Sequence, residues 1–131
     1  MPLLANDPIP KGITLRDAYT RIRHWYQANA PEFASAGHPW AIESLDLIEN
    51  LPEESELSDA EIKAILLEVI MGKLEWGYHQ SDGNYKMAAY AQAALEQVGY
   101  PSEVFSEVER QELRNSRLYP YSSIIQSVTK Y

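Results

Sequence analysis

The sequence predicts an all-α protein, a compact bundle of five or six helices packed mostly antiparallel. Three observations carry this expectation. Apolar residues recur at spacings of three and four, not two, through several segments of the chain. Serine or threonine followed three residues later by an acid opens two of these segments, and proline or glycine closes most of them. No run alternates polar and apolar residues over a strand length, and the β-branched residues are scattered among helix formers. A length of 131 residues fits a single helical domain over 1–131, and 45% hydrophobic with 11% aromatic residues is a composition that folds.

Residues 1–13 read as an extended arm, because Pro2, Pro8 and Pro10 interrupt a stretch without periodicity. Thr14, with Asp17 three positions later, opens the first helix in the manner of a capping box. Leu15, Ala18, Tyr19, Ile22, Trp25 and Tyr26 share one face of it, Arg16, Arg21 and Arg23 point elsewhere, and Pro31 is expected to end it. After Gly37 and Pro39, the residues Trp40, Ser44, Leu47, Ile48 and Leu51 outline a shorter helix closed by Pro52.

The segment from Pro52 to Leu57 is an acidic loop, and Ser58 with Glu61 forms a second capping box. The helix behind it has the clearest pattern, with Ile62, Ile65, Leu66, Val69, Ile70 and Lys73 on one face and the pattern fading at Gly77. Residues 81–84 read as a turn and cap cluster. Tyr85, Ala88, Ala91, Ala94, Leu95 and Val98 then make a small-residue stripe that ends at Gly99 and permits close helix approach. Pro101 and Ser102 are expected to start a fifth helix carrying Val104, Phe105, Val108 and Leu113. Residues 118–131, with Ile124, Ile125 and Val128, read either as a short helix or as an irregular docking tail. No fixed period of a repeat protein appears.

The absence of cysteine removes disulfides, thiolate metal sites and cysteine nucleophiles. No Gly-x-Ser-x-Gly elbow and no glycine-rich phosphate loop is present. Of the three histidines, His24, His38 and His79, only His79 has an acid, Glu75, four residues away on a helix. A helical metal centre would need further ligands from a second helix, so no metal and no cofactor are expected. Among the nine tyrosines, Tyr19 and Tyr26 belong to the core stripe. Those around the turns and the C-terminal half, including Tyr78, Tyr85, Tyr90 and Tyr100, serve either packing or partner contact.

The charge is concentrated. Residues 43–75 hold ten acids and two bases, which accounts for the whole formal net charge of −8, while the rest of the chain is balanced. Such a field repels nucleic acid and anionic membrane and steers a basic protein toward it. The other reading is a solvated face that keeps the protein soluble. Glu43, Asp46, Glu49, Glu53, Glu54, Glu56, Asp59 and Glu61 are the candidate partner-binding residues. The stretch from Met1 to Lys11 lacks the pattern of a secretory signal, and runs such as Ile65-Leu66-Leu67 fall far short of the roughly 20 apolar residues that span a bilayer, so a cytoplasmic location is expected.

Between Tyr26 and Leu95 the order of elements resembles a known family. Ala30-Pro31-Glu32-Phe33 precedes a helix ending Leu47-Ile48-Glu49-Asn50, and an acidic loop enters Leu57-Ser58-Asp59-Ala60-Glu61-Ile62. A long helix from Ile65 to Trp76 is followed by a polar break at Ser81-Asp82-Gly83 and an alanine-rich helix. This arrangement is similar to that of the small all-helical immunity proteins that protect bacteria from toxins delivered by type VI secretion, although the family favours Asp-Pro where this chain has Asp82-Gly83. The resemblance implies a cytoplasmic, non-enzymatic inhibitor that forms a 1:1 complex with a basic toxin domain and occludes its active site. The competing readings are a nucleic-acid mimic that blocks a DNA-binding machine, with its acids spread over a long surface, and a small helical metal-binding protein.

Overall fold

The computed structural model describes residues 9–35, 51–70, 82–100, 104–118 and 123–129. These form five α-helices, α1 (Leu15–Ser35), α2 (Asp59–Ile70), α3 (Asp82–Glu96), α4 (Glu107–Arg114) and α5 (Ser123–Val128), with a 3₁₀ turn at Glu54–Glu56 and no strand. The all-helical class expected from the periodicity is observed. Among the described residues no helix is long and apolar enough to cross a membrane.

Capping follows the local sequence. The Asp17 amide donates to Thr14 Oγ1 at 3.1 Å at the start of α1. The Ser58 and Glu61 box is reciprocal, with the Glu61 amide on Ser58 Oγ at 3.2 Å and the Ser58 amide on Glu61 Oε1 at 2.9 Å. Gly99, at φ +98°, closes α3 in a Schellman motif in which the Tyr100 amide reaches the Leu95 carbonyl at 3.1 Å and the Gly99 amide reaches Glu96 at 3.4 Å.

Four local expectations change. The first helix does not end before Pro31 but runs through it to Ser35. Proline deletes one backbone hydrogen bond, and the helix survives that loss because Glu32, Phe33 and Ala34 beyond it accept helical backbone. The fourth helix starts at Glu107, not near Pro101, because Ser106 and Glu109 form a reciprocal capping box while residues 104–106 are non-helical. Val108 is then carried to the outside, 69% exposed, instead of joining Leu113 in the core. On α3 the buried stripe is Met87, Tyr90, Ala91, Ala94 and Leu95, with Ala88 half-buried and Val98 exposed. The helix expected around Trp40–Ile48, apart from the buried Leu51 and Pro52 at its end, lies outside the described residues, as do Lys73, His38, Glu75 and His79.

The second helix is not amphipathic with one apolar face, as its sequence suggests, but buried around its circumference. Residues 60 and 62–69 are all buried, and α2 packs against each of the other four helices. A helix apolar on every side belongs in the middle of a domain. The buried face of α1, which packs on α2 and α3, carries Ala18, Tyr19, Ile22, Trp25 and Tyr26, with Trp25 and Tyr26 edge to face at 5.0 Å. The C-terminal residues resolve into the helical alternative, as α5 buries Ile124 and Ile125 against α2.

Candidate functional site

The acidic segment before α2 is held against α1 by side chains one and two helical turns apart. The Arg16 guanidinium donates to the carbonyls of Glu54 and Leu57, the latter at 3.1 Å, and to Asp59 Oδ1 at 2.9 Å. The Tyr19 hydroxyl donates to the Pro52 carbonyl, and Arg23 reaches Glu54 Oε2 at 3.4 Å. Positions 16, 19 and 23 follow the helical spacing of three and four, so one side of α1 grips the loop along its length. Leu51 and Leu57, both buried, anchor its two ends. Two of the three arginines that the apolar pattern left unassigned, Arg16 and Arg23, are therefore fasteners of the acidic loop.

The expected partner-binding acids divide into groups. Glu43, Asp46 and Glu49 lie outside the described residues. Glu54, Asp59 and Glu56 are ion-paired within the chain, to Arg23 at 3.4 Å, Arg16 at 2.9 Å and Arg117 at 3.6 Å. Glu61 belongs to the α2 cap and also accepts from the Ser116 hydroxyl at 2.7 Å. Glu53 is exposed and has no ion-pair partner among the described residues. The acidic quarter is thus not one solvated face. Glu68, from the same stretch, is buried at 1% exposure with its Oε1 accepting from the Ile124 amide at 3.3 Å, where it ties α2 to α5.

The Glu54 carboxyl is held below the ordinary glutamate value, first by its own backbone amide and then by the Thr20 hydroxyl, Arg23 and His24, against a desolvation cost. It stays ionised across the neutral range, so the loop keeps its charge.

The tertiary structure adds a neighbour that sequence position conceals. Glu56, Ser58 and Glu61 from the loop and cap meet Glu112, Asn115, Ser116 and Arg117 from the end of α4, around a polar depression of about 670 Å³. Three carboxylates face one guanidinium there, and among the described residues that guanidinium is engaged by an exposed ion pair of 3.6 Å. No local signal marks Glu112, because it sits in a part of the sequence where acids and bases balance. Among the described residues no group of histidine, aspartate and glutamate side chains is placed to hold a metal ion.

No protein-family model, no curated protein and no solved structure matches this chain.

Proposed function

We propose that this protein is a non-catalytic inhibitor that docks a basic enzyme through the acidic depression between the α2 cap and the end of α4, in the manner of the immunity proteins its sequence resembles. The observation that carries the reading is the local excess of carboxylate at a braced surface. Glu53, Glu61 and Glu112 have no cationic partner among the described residues, and the Arg16, Tyr19 and Arg23 contacts keep the loop from rearranging when a partner arrives. A surface ordered before binding spends less free energy on association. Uncompensated negative charge at a concave site accelerates encounter with a lysine- or arginine-rich cleft. The exposed Arg117 and Glu56 pair is weak enough to exchange, so an incoming guanidinium can take the place of Arg117 on Glu56.

A compact cluster around one depression favours this reading over nucleic-acid mimicry, which calls for carboxylates in rows over a long surface. The cytoplasm is the compartment in which such an inhibitor would meet its enzyme. The test takes the product of a toxin-domain gene adjacent to the one encoding this chain and titrates its activity with the purified protein. Activity should vanish at a 1:1 ratio, with association faster at low ionic strength. No complex, or inhibition persisting far below equimolar protein, overturns the proposal.

A further inference from the structure

On the side of α1 away from the acidic loop, two cations converge on one ring. The Arg21 guanidinium carbon lies 5.3 Å from the centroid of Tyr90, and Lys86 Nζ lies 5.8 Å from the same centroid. Arg21 also donates to the Tyr90 hydroxyl at 3.4 Å. Tyr90 is fully buried, and both cations are half-buried over it. Unlike Arg16, Arg23, Lys63 and Arg117, neither Arg21 nor Lys86 is ion-paired with a carboxylate among the described residues. Asp17, one turn before Arg21 on α1 and exposed, stays out of ion-pair range. Both cations are thus partly withdrawn from water over one ring, with no carboxylate among the described side chains to neutralise either.

We propose that Arg21 and Lys86, seated on Tyr90, form a binding site for the phosphate group of a small phosphorylated ligand. A phosphate monoester carries close to two negative charges at neutral pH, matching the two cations, whereas a carboxylate carries one. The planar guanidinium can present two parallel N–H donors to two phosphate oxygens, and the ammonium supplies a point charge to a third. The platform is rigid. Lys86 and Tyr90 are one turn apart on α3, and α3 packs directly on α1, which carries Arg21. The site shares no residue with the acidic depression, so each can fail without the other.

The test is calorimetric titration of the full chain with inorganic phosphate and with adenosine diphosphate, at fixed ionic strength set by chloride. Saturable 1:1 binding is expected, weakened about tenfold by Lys86→Gln and by Arg21→Gln, with Arg21→Lys retaining part of the affinity. Binding of the nucleotide alone would make the ligand a nucleotide, and binding of both with equal affinity would make it free phosphate. In either case the Lys86→Gln loss is required. Lys86 is half-exposed, so that variant keeps the readout available should Arg21→Gln fail to fold. No saturable heat from either probe, or affinity unchanged in the Lys86→Gln protein, overturns the proposal.

Discussion

The Lys63 ammonium donates to the Glu109 carboxylate across the contact between α2 and α4, and to the Val104 carbonyl at 3.1 Å. Their side chains are only 11% and 20% exposed, so the pair sits where water is scarce. Glu109 is at the same time the acid of the α4 capping box, accepting from the Ser106 amide at 3.0 Å. One carboxylate therefore both starts a helix and docks it. This explains how α4, an eight-residue helix with a single buried side chain, keeps its place against the core.

Replacing either partner alone should be costly, because the survivor is left with little water and no counter-charge. Lys63→Met or Glu109→Gln is expected to lower stability by about 2 kcal/mol in chemical denaturation. The double variant should cost less than the two single losses added together. Additive losses would show that the two groups do not act as a pair.

The acid limb of the stability curve follows from the same carboxyl. Burial opposes ionisation of Glu109, but Lys63 and the Ser106 amide and hydroxyl outweigh it, so its pKa lies below the ordinary 4.5. A group depressed in the folded state adds stability above its unfolded value and loses it as pH falls through the folded value. Denaturation midpoints should therefore decline below about pH 4.5, and less so in Glu109→Gln. Parallel declines in the two proteins would contradict the assignment.

Tyr19 gives the opposite limb. Burial is the main reason its pKa is raised above the ordinary 10.0, since the phenolate would have to form without water while the hydroxyl donates to Pro52. A raised value adds stability that is fully present below pH 10.0 and is lost as pH climbs toward the folded value. Tyr19→Phe should cost about 1–2 kcal/mol at neutral pH by orphaning the Pro52 carbonyl. It should also flatten the alkaline decline measured by thermal unfolding.

Core position is tested by contrast between two aliphatic residues. Ile65→Ala, at 1% exposure in the central helix, is expected to cost roughly 2–5 kcal/mol. Val108→Ala, at 69% exposure on α4, should change stability by less than about 0.5 kcal/mol. Equal effects in urea titrations would mean that α2 is not the centre of the bundle.

For partner binding, charge reversal has to spare the acids that hold the fold. Glu53→Lys with Glu112→Lys removes charge from two exposed positions with no ion pair among the described residues. If the proposed function holds, association with a basic partner enzyme should slow several-fold at low salt while the melting temperature stays put. Asp59→Lys should instead lower the melting temperature, because it turns the Arg16 clamp into a repulsion. An association rate indifferent to the first pair of changes would sink the acidic docking surface.

Much of the secondary structure was legible in the sequence because its causes are local. A helix face needs residues three and four apart, and the Ser58 and Glu61 box needs one serine and one glutamate three apart. The same rule written at Ser106 and Glu109 would have placed the start of α4, where proline at 101 was the more conspicuous signal. What the sequence determined by itself was the helical class, the core stripe of α1 and the concentration of acid in residues 43–75. Only the tertiary structure decided that α2 is enclosed on all sides, and that Arg16, Arg23 and Arg117 neutralise three of the acids. It also decided that Glu112 completes the depression with Glu56 and Glu61. The physical reason is reach. Capping and periodicity act over one helical turn, whereas ion pairing and burial depend on which surfaces the packing of distant helices brings within a few ångströms.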